Sequence, residues 1–251
     1  MMTRRSFSRK PRRRTFLAKT TSRTLLALST SRTAALDVVV VSGTSRTAGP
    51  PRPILGPRVA QFVVQGLERR GHAVTWLDPR ALDIPLLTKP EFAYAPSQVP
   101  DVLRETRQTL EQAHAYVMVT PEYNHAPSPA LLNLLNHFGS SVFSFKPSAI
   151  VSYSAGQWGG TRAALALRPV LSELGCLSVS AMVHIPHAGT VLQENGSVVK
   201  PEEQEQWDGY LDRCLGQLEW WGEATRRHRQ EVDPFNNSPA FAKDPSQRNA
   251  P

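Results

Sequence analysis

The chain has 251 residues, 40% hydrophobic and 20% charged, with a formal net charge of +8. This is long enough for one well-buried domain with tails and too short for two large ones by default. No apolar run approaches the roughly 18 residues needed to span a bilayer, which excludes a membrane-spanning helix. Ten of the 29 Lys and Arg residues lie within residues 1–36, which hold no Asp or Glu, so the remaining 19 nearly balance the 21 acids. A near-neutral remainder gives no general case for a nucleic-acid partner.

Residues 1–34 read as a basic segment that is either disordered or a targeting sequence. It is rich in Arg, Ser and Thr, and its short apolar piece Thr24-Leu25-Leu26-Ala27-Leu28 has the composition of an organelle transit peptide rather than a secretory signal. The expected location is the cytoplasm, or the mitochondrion or plastid if residues 1–36 act as an address. From Ala35 the pattern changes to short apolar runs separated by amphipathic stretches, the signature of strands and helices alternating around a parallel sheet. Strands are expected at Leu36–Ser42, Ala73–Leu77, Ala115–Thr120, Ser148–Tyr153 and Leu177–Val183. Helices are expected near 55–70, 101–113, 127–138, 159–174 and 201–228. The unbroken run Val38-Val39-Val40-Val41 suits a sheet covered on both faces. One α/β domain over residues 35–230 follows, with 231–251 as a flexible tail. Residues 83–100, with four prolines, form a long irregular connection.

In a doubly wound sheet, ligands bind outside the carboxyl ends of the strands, where strand order reverses. Three loops leave such ends. After the first strand comes Ser42-Gly43-Thr44-Ser45-Arg46, with a glycine for close backbone approach, hydroxyls for phosphate oxygens and a guanidinium fork. Arg52 or Arg58 could assist Arg46. Neither the nucleoside-triphosphate loop pattern nor a Gly-x-Gly-x-x-Gly fingerprint is present. After the third strand, Thr120-Pro121-Glu122-Tyr123-Asn124-His125-Ala126-Pro127 offers an aromatic ring and polar groups in a proline-stiffened loop, with Ser128 as N-cap of the next helix. After the fourth, Ser152–Arg162 contains Gly156, Gly159 and Gly160, which would admit a flat ligand, and Trp158. Read singly, each loop could equally be an ordinary turn. Cys176 and Cys214 have no metal-binding or disulfide spacing and read as packing residues.

Taken in order, Gly43-Thr44-Ser45-Arg46, Pro121-Glu122-Tyr123-Asn124 and Ser154-Ala155-Gly156-Gln157-Trp158-Gly159-Gly160-Thr161-Arg162 resemble the NADPH-dependent FMN reductase family. The resemblance runs from about Asp37 to Pro186, including Leu67-Glu68-Arg69-Arg70-Gly71-His72 and the piece from Pro129 to Asn136. It implies a flavodoxin-like α/β fold: a doubly wound, five-stranded parallel sheet of order 2-1-3-4-5 with helices on both faces. It implies FMN as cofactor and NADPH or NADH as co-substrate, a small-molecule electron acceptor such as a quinone, azo compound, metal ion or free flavin, and a homodimer or homotetramer. Gly43, Thr44, Ser45 and Arg46 would hold the phosphate. Pro121, Glu122, Tyr123 and Asn124 would flank the ring and ribityl chain. Ser154, Gly156, Gly159 and Gly160 would approach the pyrimidine side. No catalytic side chain and no metal are expected, because the flavin carries the chemistry. The alternative is a flavodoxin-like electron carrier that holds FMN without oxidising NAD(P)H. Two features need the fold to explain them: the insertion at 47–53 after Arg46, and the apolar residues of the 127–138 helix, Leu131, Leu132, Leu134, Leu135 and Phe138, as an oligomer contact or simply as core.

Overall fold

A computed structural model of the chain describes residues 34–49 and 54–242. In order they form β1 (Asp37–Ser42), α1 (Gly56–Arg69), β2 (Ala73–Leu77), α2 (Asp101–Gln112), β3 (Ala115–Tyr123), β4 (Ala126–Pro127), α3 (Pro129–Asn136) and α4 (Ser140–Phe143). There follow β5 (Pro147–Tyr153), α5 (Thr161–Glu173), β6 (Leu177–Ser178), β7 (Val183–Ile185), α6 (Ala188–Val191), α7 (Gln204–Glu231) and α8 (Pro234–Asn237).

The parallel ladder runs β2-β1-β3-β5-β6, with β4 paired to β3 and β7 paired to β5. With the two-residue β4 set aside, this is the expected 2-1-3-4-5 order. The count is seven strands rather than five, because β4 is added after β3 and the single strand expected at 177–183 is broken in two. Its two pieces, β6 and β7, both pair with β5. Between them α7 captures backbone groups that an unbroken strand would offer its neighbour: Ala181 N donates to Gln217 Oε1 at 2.9 Å, and Cys214 Sγ donates to Ala181 O at 3.1 Å.

Side chains alternate across the sheet, as the pleat demands. Val38, Val40, Val117, Val119 and Val151 join one apolar cluster with Val59, Phe62, Val63 and Leu67 of α1 and Leu211, Leu215 and Leu218 of α7. Val39, Val41, Tyr116, Met118 and Ile150 join the other, with Leu103 and Leu110 of α2, Leu131, Leu134 and Leu135 of α3, and Leu167 and Leu171 of α5. Each such burial is worth about 1.5–3 kcal/mol. The apolar face of α3 is therefore spent on the core of its own chain: Leu131, Leu134 and Leu135 are fully buried, Phe138 nearly so, and Leu132 packs partly buried beside them. The expected 127–138 helix is also shorter than its pattern, ending at Asn136 and giving way to α4.

The connection at 83–100 contains two short 3-10 turns and is tied to α3. Asn133 Oδ1 accepts from Leu87 N at 2.8 Å, Asn133 Nδ2 donates to Pro85 O at 2.9 Å, and His137 Nε2 lies 2.9 Å from the same carbonyl. The flexible tail expected from 231 onward is not what its described part forms. Asp233 accepts from Phe235 N at 3.0 Å to cap α8, and Phe235 and Phe241 meet Phe145 edge-on, with centroids 5.7 and 5.4 Å apart. Residues 1–33, 50–53 and 243–251 lie outside the described residues. They include nearly all of the basic segment, Arg52 and the rest of the tail.

Candidate cofactor site

The strands do not end level. Ser42, the last residue of β1, pairs with Val119, whereas β3 continues through Thr120, Pro121, Glu122 and Tyr123. Tyr153, the last residue of β5, stands beside Pro121. This step opens a cleft of about 250 Å³ above the end of β1, where strand order reverses between β1 and β3.

The first loop supplies its floor. Gly43 N donates to Val119 O at 2.7 Å, anchoring the loop to β3. Thr44 is buried, and its hydroxyl oxygen accepts from Arg46 N at 3.3 Å. Arg46 Nη2 donates to the carbonyls of Gly49 at 2.9 Å and Ala48 at 3.3 Å, so the start of the 47–53 insertion folds back onto the guanidinium. Helix α1 begins directly against this loop. A Cβ on Gly56 would lie 2.2 Å from Thr44 Cγ2 and 2.6 Å from Tyr153 Oη, so only glycine permits that approach. Arg58 does not assist Arg46. Its guanidinium turns away to donate to Leu192 O at 2.9 Å and to Glu194 at 3.2 Å.

The second loop, expected as a proline-stiffened loop after Thr120, is a hairpin. Strand β3 runs on to Tyr123 and pairs antiparallel with β4, Glu122 opposite Pro127 and Tyr123 opposite Ala126. The turn residues Asn124 and His125 have φ of +50° and +65°, the signs of a two-residue primed turn. Thr120 Oγ1 braces it by accepting from Ser128 N at 3.2 Å, and Ser128 caps α3 through Leu131 N at 3.3 Å.

Glu122 is not a plain surface charge. Its carboxylate accepts from Arg162 N at 3.1 Å and Ala163 N at 3.4 Å, the otherwise unpaired amides at the start of α5. Glu122 thus clamps the second loop to the third.

The third loop is knitted to the chain after β7. Ser154 N donates to Ile185 O at 3.2 Å, His187 N to Gly156 O at 3.0 Å and Ala188 N to Ser154 O at 3.0 Å. Ser152 Oγ donates to Gly159 O at 2.8 Å and lies 2.8 Å from His184 Nδ1. Since the serine proton goes to the carbonyl, His184 is the donor in that pair, and this is a structural brace rather than a nucleophile and its base. Gly159 and Gly160 have φ of +60° and +78° and crowd the backbone of His184, Ile185 and Tyr153. They turn the loop against the sheet. Trp158, exposed, carries the Arg162 guanidinium 5.0 Å above its ring.

Of the residues the sequence singles out, Thr44, Arg46, Pro121, Glu122, Tyr123 and Ser154 line this one cleft. Gly43, Ser45, Asn124, Gly156, Gly159 and Gly160 do not. Tyr153 lines it too and was not foreseen. Its phenol, 3% exposed, hydrogen-bonds Thr44, and burial pushes its pKa well up, with Arg46 and Arg80 pulling the other way, so it stays a proton donor. The available signal was an aromatic hydroxyl at the last position of a strand that opens a ligand loop.

A family model for NADPH-dependent FMN reductases matches residues 36–190, more than half of the chain. The chain belongs to the NADPH-dependent FMN reductase family. Among its relatives, a 2-hydroxy-1,4-benzoquinone reductase from Burkholderia is 30% identical over 122 residues, 47% of this chain and 67% of that protein. A quinone reductase from Pseudomonas putida is also 30% identical over 122 residues, 46% of this chain and 63% of its own. The chain thus spans about two thirds of the length of these relatives. An NADPH azoreductase from Bacillus is 25% identical over 166 residues, 66% of this chain and 85% of that protein. The flavoenzyme NAD(P)H:(acceptor) oxidoreductase of Paracoccus denitrificans shares the fold, with a TM-score of 0.57 at 20% identity over 74% of this chain and 98% of its own.

Membership of the FMN reductase family implies FMN and NAD(P)H, and the cleft can be tested against the former. A phosphomonoester needs a cation, hydroxyl and N–H donors, and a backbone it can approach. Arg46, Thr44 and Tyr153 supply the donors, Gly56 keeps the start of α1 clear, and the hydroxyl of Ser42 at the head of the loop is buried with no partner among the described residues. The one carboxylate of the wall, Glu122, is held on the amides of α5. The site fits a phosphorylated flavin.

Proposed function

We propose that this chain is an FMN-dependent oxidoreductase that uses NAD(P)H to reduce a small-molecule acceptor, a quinone or azo compound by analogy with its relatives. The observation that carries this reading is the convergence of three strand-end loops on one cleft at the reversal of strand order. When bound, FMN supplies the two-electron chemistry between NAD(P)H and the acceptor. The protein's part is binding and orientation.

Arg46 and Thr44 would hold the phosphate, with the Tyr153 hydroxyl as a further donor, while Gly43 fixes the loop to β3. Pro121, Glu122, Tyr123 and Asn124 would flank the ring and ribityl chain, the hairpin giving Tyr123 a rigid mount. Ser154, Gly156, Gly159 and Gly160 would shape the pyrimidine side, Gly159 and Gly160 indirectly, through the turn they allow. The Glu122 clamp onto α5 keeps the two walls at a fixed separation.

The exposed apolar side chains of Tyr123 on the cleft wall, Trp158 in the third loop and Leu165 in α5 support a homodimer or homotetramer. A monomeric mass by light scattering with flavin bound would reject that. We place the chain in the cytoplasm, or in the mitochondrion or plastid if residues 1–36 address it there, which a fluorescent fusion of that segment decides. Among the described residues no helix is long and apolar enough to cross a membrane. The deciding experiment for the activity is anaerobic mixing of holoprotein with NADPH or NADH. Bleaching of the flavin absorbance is expected, and persistent yellow would leave an electron carrier instead.

A further inference from the structure

A second, larger hollow lies at the opposite end of the sheet, about 590 Å³ in volume. It is framed by Phe145 just before β5, Leu177 at the start of β6, the last turns of α7 with Trp221 and Arg229, and Val232 and Pro234 leading into α8. The proposed activity does not use it, and most of its wall, from Trp221 to Asn237, lies beyond the residues matched by the family model. Its size falls in the range of small-molecule sites, and its walls are mainly aromatic and aliphatic.

Three observations bear on what it would take. First, the charged or titratable nitrogen groups on the wall are Arg229 and His228, and no carboxylate lines it. Arg229 Nη1 donates to Phe145 O at 2.6 Å, and no ion pair of Arg229 exists among the described residues, whereas Arg226 and Arg227 beside it are both paired with Glu223. Second, Phe145 has a φ of +62°, a conformation that a bulky side chain rarely adopts. It is held there by its own N–H on Gly175 O at 3.1 Å and by Arg229 on its carbonyl, and its ring packs on Phe235 and Phe241. Third, the rim exposes a perpendicular tryptophan pair, Trp220 and Trp221, with centroids 4.6 Å apart. Apolar walls with a single uncompensated cation complement a molecule that is mostly ring and carries one negative charge.

We propose that this hollow is a binding site for an aromatic anion, a fused-ring or biaryl compound bearing one carboxylate or sulfonate. The rings lie against Trp221, Phe145 and Leu177, and the acid group meets Arg229.

The test uses FMN-loaded protein and two probes of the same ring skeleton, 8-anilinonaphthalene-1-sulfonate and its uncharged relative N-phenyl-1-naphthylamine. Fluorescence titration is expected to give one saturable site for the sulfonate and binding at least ten-fold weaker for the neutral probe. Ala224→Phe, which fills the hollow from the α7 wall, removes the sulfonate site while flavin content and melting temperature stay unchanged. Arg229→Met brings the two probes to similar affinity. Undiminished sulfonate binding to the Ala224→Phe protein, equal affinity of the wild type for both probes, or no saturable site overturns the proposal. So does a wild-type dimer that Ala224→Phe converts to a monomer without any sulfonate site, since the hollow then belongs to a second copy. None of these readouts depends on the proposed reductase activity.

Discussion

The two ends of the sheet treat polar groups in opposite ways. At the amino end, most are consumed by partners inside the chain. His72 Nδ1 accepts from Leu36 N at 3.2 Å, and its Nε2 lies 2.7 Å from Glu219, which also takes the guanidinium of Arg70. Lys146 Nζ donates to Leu110 O, Glu111 O and Tyr116 Oη at 2.9, 2.7 and 3.0 Å, closing the carboxyl end of α2. At the carboxyl end, Thr44, Arg46, Tyr153 and Ser154 gather around an open cleft, and Ser42 Oγ has no partner among the described residues. The first arrangement holds the fold together. The second lines a cleft with polar groups, as a ligand site must. Arg229, bonded to the Phe145 carbonyl, has no carboxylate partner among the described residues, and the second site proposed above rests largely on it.

The contrast can be broken from either side. The largest effect belongs to the amino end. Glu219→Ala strips Arg70 and His72 of their shared carboxylate and should lower unfolding free energy by about 3 kcal/mol in urea titration, as removing one partner of a buried ion pair does. FMN affinity of the folded protein should be unchanged. If flavin binding falls with stability, the two ends are not independent.

Arg46→Ala should do the reverse. Loss of a charge-assisted contact worth about 1.5–3 kcal/mol weakens FMN roughly ten- to hundred-fold, with the apoprotein melting temperature intact. Flavin fluorescence titration reads this directly, and unchanged affinity would remove Arg46 from the cradle. Tyr153→Phe deletes one neutral donor and keeps the ring, so a loss of about 1 kcal/mol, some five-fold in FMN affinity, is expected. A Tyr153→Phe protein with wild-type affinity would make the phenol a packing residue only.

The smallest effect is on pH dependence. Burial raises the Glu219 pKa, but hydrogen bonds from Arg70 and His72 outweigh it and hold the carboxyl down at about 2, below the ordinary 4.5. The folded state therefore keeps the charge longer than the unfolded one. The stability it brings is complete above pH 4.5 and is lost as pH falls towards 2. Glu219→Gln should flatten that limb of an acid-unfolding curve and leave the neutral region parallel to wild type. An unaltered acid limb would show that other carboxylates dominate it.

Much of this molecule is legible in its sequence. The Val38–Val41 run, the amphipathic period of α1 and the order of the three loops fix the parallel sheet, its helical cover and the end where the cleft forms, because side-chain periodicity and strand-end glycines are local properties. What local pattern could not reveal was decided by partners far along the chain. Leu131, Leu134 and Leu135 read equally as core or as interface until β3 and α2 cover them. The 177–183 strand looks continuous until Gln217 and Cys214 of α7 take its middle. Glu122 looks like a surface charge until α5 offers its bare amides. Tyr153 enters the site only because β3 outruns β1 and sets Pro121 beside it. Local pattern in the sequence accounts for the main strands and helices of the sheet and for the loops at its carboxyl end. Only in the folded chain do some polar groups brace the sheet and others line a cleft, because that depends on contacts between residues from 30 to 147 positions apart.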